Sequence, residues 1–392
     1  MSDVFTYINW RGDLTFRKSQ FNEVDNLIFS VLAYATFEGI LSPSDKYGDK
    51  YYKPKMTLFE AADAFYTIHT LEEVHKMSHP QRRGAEILFE MAKAKRFQDC
   101  ILSNYVSKIS DECGQQFAAI TIDLGTDAIY VAFRGTDDSV VGWKEDLYLG
   151  VASHIPSQID ARNYLTEVAK EHGRKRLFVG GHSKGGNLAV YAASQVGKRI
   201  KNRIIRVYNN DGPGFRREFI ETENYRDILP KVRTIVPEDS IIGMLLEHEE
   251  SYTVVRSVAS GTSQHNGFTW EVLGRHFIYL EDTSRSSRTV NKIISDWLRN
   301  MPPDKFREAV DTLFALIEEQ GLETFAEAKN EPLKKAYAVL KEAAHLDDDK
   351  KKVVKDTIKL LLKKGRETVW KEIPNPFAQQ DDEELNGKEG KE

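Results

Sequence analysis

Ser183, Asp239 and His265 are the residues whose types and order could perform nucleophilic chemistry. Ser183 stands at the tip of Gly181-His182-Ser183-Lys184-Gly185, a G-x-S-x-G motif. In that motif a serine hydroxyl projects from a tight, strained turn between a strand and a helix. The glycines are required because strand and helix pass so closely that a Cβ two positions either side of the serine would collide. The turn also aims the backbone N–H of the next residue, Lys184, at an incoming substrate, beside a helix N-terminus that favours negative charge. A phosphate loop of the G-x-x-x-x-G-K-[ST] type would need Lys and Ser or Thr where Asn187 and Leu188 stand.

A serine hydroxyl is a weak nucleophile until a base takes its proton, and the base needs a third group to orient it. In the order Ser, Asp or Glu, His, both partners follow the serine. The later histidines are His248, His265, His276 and His345. His248 sits in a polar turn and is expected to be solvated. His276 lies in an apolar-aromatic run and is expected to be packed. His345 falls in a charged helical stretch and is expected at the surface. His265 occupies a loop of glycine, serine and asparagine, from which an imidazole can reach across, and is the expected base. For the acid, Asp239 directly follows a strand-like run and is the expected choice. Asp211 is the rival, within Asn209-Asn210-Asp211-Gly212-Pro213-Gly214, a turn-forming sequence. Glu238 is a third candidate.

The elements that must position these groups alternate between strand and helix. Phe117–Asp123 and Ala128–Phe133 read as a hairpin, and Arg176–Val179, Arg203–Tyr208, Lys231–Val236 and Val254–Val258 as further strands. Helices are expected at 160–171 and from Asn187 onward. Loops at strand ends, among them Arg134-Gly135-Thr136-Asp137, are where such a fold builds its site. The fold class is therefore α/β, with a central, mostly parallel sheet over 111–285. Residues 1–110 read as mainly helical and packed on that core, with a long helix over 21–37 and a capping box at Thr57 and Glu60. Residues 286–373 read as a charged helical extension, with segments near 286–300, 304–320, 323–345 and 347–370. Residues 374–392 read as an acidic tail expected to be disordered.

The 392 residues carry a formal net charge of −5, with 41% hydrophobic and 29% charged residues. This balance suits an ordinary core and excludes nucleic acid as the main partner. Two cysteines, Cys100 and Cys113, make no disulfide framework, and no C-x-x-C is present. The N-terminal residues lack a signal-peptide pattern and no apolar run is long enough to span a bilayer, so a cytoplasmic location is expected.

Phe133-Arg134-Gly135-Thr136-Asp137, Trp143-Lys144-Glu145-Asp146, Gly181-His182-Ser183-Lys184-Gly185-Gly186-Asn187-Leu188-Ala189, and an Asp239 followed by His265 resemble the signature of the class 3, fungal-type lipases. Within that group the chain is most similar to an uncharacterised bacterial lipase-like α/β-hydrolase family, over most of residues 20–285. The resemblance implies an α/β-hydrolase fold and an oxyanion hole formed by backbone N–H groups of Thr136 and Lys184. It also implies that Arg134 and Asp146 hold the Thr136 loop. Class 3 lipases usually carry leucine after the nucleophile. Lysine here would place a long cation near the substrate.

The expected activity is that of a serine carboxyl-ester hydrolase acting on an intracellular lipid or acyl ester, with no metal or organic cofactor. The partner would be the ester itself, with transient membrane-surface contact compatible with such a substrate. The alternative is a non-catalytic binding or regulatory protein on a hydrolase scaffold. An intact Ser-Asp-His set with both oxyanion positions favours the enzyme.

Overall fold

The computed structural model describes residues 2–48, 50–110, 114–137, 139–289, 291–292 and 302–319. The chain divides into two compact units: Met1–Asp137 with Val141–Leu298, and Asp138–Val140 with Arg299–Glu392. In the second unit a helix covers Pro303–Glu319, burying Phe306, Val310 and Phe314. The helical segments expected at 323–345 and 347–370, and the acidic tail, lie outside the described residues.

The first unit holds the strands β1 (Lys55–Thr57), β2 (Ile101–Ser110), β3 (Gln115–Asp123), β4 (Ala128–Phe133), β5 (Arg176–His182), β6 (Ile204–Asn210), β7 (Val232–Pro237), β8 (Tyr252–Val255), β9 (Val272–Leu273), β10 (His276–Phe277) and β11 (Tyr279–Leu280). Nine of them form one sheet in the order β1-β2-β3-β4-β5-β6-β7-β8-β11. Pairing is antiparallel from β1 to β4 and between β8 and β11, and parallel from β4 to β8. The C-terminal ends of β4, β5, β6 and β7 therefore open on one edge, where an α/β sheet binds its ligands.

Both sheet faces are buried, which is why its strands are almost continuously apolar. Ala128, Tyr130 and Ala132 of β4 enter one core, while Ile129, Val131 and Phe133 enter the other. The first core is covered by the helices α1 (Val4–Arg11), α2 (Glu23–Leu32), α3 (Leu58–Ile68), α4 (Leu71–Lys76) and α5 (His79–Lys93). Phe21 locks this layer to the sheet by stacking on Phe178 of β5 at 4.4 Å. The second core is covered by α7 (Pro156–Glu171) and α8 (Lys184–Gln195), which follow α6 (Val140–Tyr148).

The expected hairpin forms β3 and β4, and Thr57 with Glu60 makes the capping box. Several elements of the first 110 residues differ from the reading of the sequence, strand β1 among them. The helix expected over 21–37 stops at Leu32, and the chain then turns so that Tyr34 reaches the end of β5. Strand β2 falls in the segment expected to be helical. Its alternation breaks at Asn104, with φ 54°, where the register to β3 shifts between Ser103 and Val106. A bulge of this kind interrupts the period of two that marks a strand.

Candidate active site

Ser183 links β5 to α8 with φ 58° and ψ −134°, a conformation that an L-residue holds only when its surroundings over-determine it. Three features enforce it. The Ser183 N–H donates to Asn210 O at 3.0 Å. A Cβ on Gly181 would stand 2.3 Å from the Gly185 carbonyl carbon, and one on Gly185 2.1 Å from Phe133 O. Beneath the turn, Asn210 Nδ2 donates to Gly181 O at 2.9 Å and to Ser30 Oγ at 3.1 Å, while Asn26 Nδ2 donates to Asn210 Oδ1 at 2.8 Å. Asn26, Ser30 and Asn210 were not singled out from the sequence, because buried polar partners far apart in the chain leave no local pattern.

His265 Nδ1 lies 2.6 Å from Asp211 Oδ2. Asp211 directly follows β6, with φ 50°, and donates its N–H to Ile235 O of β7 at 2.8 Å. Its Oδ1 accepts from Ser240 Oγ at 2.5 Å and from Gly243 N at 3.2 Å. Asp239, the acid expected from the sequence, does not face the histidine. Its carboxylate accepts from Gly261 N at 2.9 Å and Gln264 Nε2 at 3.0 Å, and its N–H donates to Gln264 Oε1 at 2.8 Å. Asp239 thus secures the loop that carries His265, and the carboxylate beside the imidazole is that of Asp211. Glu238 contributes backbone bonds to Val255 and Ser284.

His248 and His276 have other partners. His248 is not solvated as expected: its side chain is 9% exposed, with Nδ1 3.1 Å from Glu250. His276 is not packed as expected, since its side chain is 60% exposed, 3.6 Å from Glu23. His345 is outside the described residues.

His182 joins the serine turn to the histidine loop. Its Nε2 is 2.7 Å from His265 O, its Nδ1 is 3.2 Å from Tyr34 Oη, and its ring centroid is 4.6 Å from that of His265. Burial, reinforced by repulsion from His265, lowers its pKa to about 3. His182 is therefore neutral, with Nε2–H donating to the carbonyl and Nδ1 accepting from the tyrosine hydroxyl.

The loop after β4 is fastened from two sides. Arg134 N–H donates to Ala118 O at 2.9 Å, and the Arg134 guanidinium lies 3.5 Å from Asp137. Thr136 Oγ1 donates to Asp146 Oδ2 at 2.6 Å. The Lys184 side chain, expected to reach toward substrate, instead turns into the protein interior and binds Gln116 and Glu145.

Residues 91–315 match the Mbeg1-like family. No curated protein matches the chain. Among solved structures, the fungal lipase of a lipase–inhibitor complex is 17% identical, with 49% of this chain and 76% of that one covered and a TM-score of 0.35. Lipase II from Rhizopus niveus is 16% identical, covering 42% and 69%, with a TM-score of 0.31. A further fungal lipase is 11% identical, covering 68% and 90%, with a TM-score of 0.37. The family match spans more than half of the chain, which belongs to the Mbeg1-like family.

Proposed function

We propose that the protein is a serine carboxyl-ester hydrolase, with Ser183 as nucleophile, His265 as general base and acid, and Asp211 as the orienting carboxylate. The observation that carries this reading is the 2.6 Å contact between His265 Nδ1 and Asp211, beside a serine held at φ 58° on a strand-to-helix turn. A carboxylate on Nδ1 fixes the proton there, which leaves Nε2 as the acceptor for the serine proton.

Ser183 Oγ then bonds to the ester carbonyl carbon as its proton passes to His265 Nε2. The backbone N–H groups of Thr136 and Lys184 stabilise the oxyanion. Collapse of the tetrahedral intermediate breaks the bond to the alcohol oxygen, which takes the proton from His265. Water, deprotonated by the same imidazole, releases the acid and restores Ser183.

The segment after Asp239 favours an aliphatic acyl group. Ile241, Ile242, Met244 and Leu245 are only partly buried there, next to Gly243, whose N–H binds Asp211. Hydrolysis of p-nitrophenyl esters of graded chain length tests this reading. Turnover by the wild type and none by Ser183→Ala is expected. Equal rates for the two proteins would contradict it.

A further inference from the structure

Lysine is almost never buried to its tip unless paired. The side chains of Lys184 and Glu145 are both 0% exposed, with Nζ 2.8 Å from Glu145 Oε2. A buried ion pair is a poor source of stability, since an apolar pair of similar volume is often as stable or more so. Its place directly after Ser183 therefore points to geometry rather than to stability.

The three protons of the ammonium meet three acceptors: Gln116 O at 2.9 Å, Gln116 Oε1 at 3.0 Å and Glu145 Oε2 at 2.8 Å. Glu145 in turn accepts from Gln116 N at 3.1 Å and Ser157 N at 3.0 Å. One point thus joins the start of α8 to β3, α6 and the first turn of α7. Asp146, the neighbour of Glu145, accepts the Thr136 hydroxyl at 2.6 Å, and its other oxygen is 3.8 Å from Lys184 Nζ. The two residues assigned as oxyanion donors are therefore tied to each other through the Lys184 side chain and its acidic partners.

We infer that the Lys184 ammonium is a positioning group that sets the spacing of the oxyanion hole. This rests on the hydrolase reading above. Oxyanion donors act only within about 2.7–3.1 Å of the developing charge, and losing one costs about 10²–10³-fold in kcat. Loosening one donor while keeping it present corresponds to about 10–100-fold.

The test compares full-length wild type with the double variant Lys184→Met/Glu145→Gln, which removes both buried charges at similar volume, and with Asp146→Ala, which frees Thr136 at a position 24% exposed. Thermal denaturation, p-nitrophenyl butyrate kinetics and inhibition by a phenylboronic acid, which forms a tetrahedral adduct on the serine, are measured for each. The expected result is a folded double variant with KM within about twofold of wild type, kcat lowered about 10–100-fold, and boronate affinity lowered in proportion. A merely structural role would move stability without that parallel loss. Unchanged kcat and boronate affinity in a folded double variant would overturn the inference while leaving the hydrolase reading intact. Should the double variant not fold, Asp146→Ala decides in the same way. A wild type that neither hydrolyses the ester nor binds the boronate overturns both.

Discussion

The carboxylate of Asp211 lies 2.6 Å from His265 Nδ1, and its side chain is 1% exposed whereas that of the imidazole is 29% exposed. A carboxylate this deeply buried persists because each oxygen has a donor: His265 on one, Ser240 and Gly243 on the other. Replacing it with an amide would favour the wrong imidazole tautomer. Asp211→Asn is expected to lower kcat by about 10⁴-fold, and Asp239→Asn by no more than about tenfold, because Asp239 acts only on the loop. Steady-state ester hydrolysis by the two variants distinguishes the two acids.

Ser240 Oγ donates to Asp211 at 2.5 Å, while the Ser240 carbonyl accepts from Ser287 Oγ and from Asn291 Nδ2 at 3.5 Å. Hydrogen bonds to charged groups contribute about 1.5–3 kcal/mol, so Ser240→Ala is expected to lower kcat/KM about tenfold or more. A value within twofold of wild type would show that Gly243 alone suffices.

His182 carries a pH signature. Its folded pKa is lowered from 6.5 to about 3 by burial first and by His265 second. Between those values the unfolded chain binds a proton that the folded protein refuses, so stability falls as pH falls. The contribution is fully present above about pH 6.5 and lost at about 1.4 kcal/mol per pH unit below it. Urea denaturation between pH 7 and pH 4 is expected to show a smaller slope in His182→Gln than in wild type. Parallel curves would contradict the assignment.

A second buried pair supports the helical layer. Arg96 binds both oxygens of Asp25 at 2.8 and 2.6 Å and donates to the carbonyls of Leu14, Ser19 and Gln20. Both side chains are 0% exposed. Arg96→Met leaves the buried Asp25 carboxylate without a counter-ion, with Tyr7 Oη and Asn22 N as its remaining donors, and is expected to cost about 3–5 kcal/mol in chemical denaturation. A loss below 1 kcal/mol would contradict this.

What was legible in the sequence is what local spacing encodes. The glycines around Ser183, the alternating strands and the polar loop holding His265 each have a short-range pattern. The carboxylate that faces His265 is not legible, because Asp211 is a turn residue and a histidine partner at once. Its left-handed backbone explains the turn-forming neighbours, while its carboxylate does something those neighbours do not announce. Asp239 looked equivalent because it also ends a strand on the same edge of the sheet. The inward course of the Lys184 side chain is hidden for a related reason. Its counter-ion, Glu145, lies far away in the chain, so only the folded structure shows the side chain turning inward.

The most direct test of the central claim is labelling of the purified protein with a fluorophosphonate probe, followed by identification of the modified peptide. An activated nucleophile predicts stoichiometric labelling at Ser183, none in Ser183→Ala, and strongly reduced labelling in His265→Ala and Asp211→Asn. A folded wild-type protein that stays unlabelled, with and without detergent, would contradict the account and leave a binding protein built on a hydrolase scaffold.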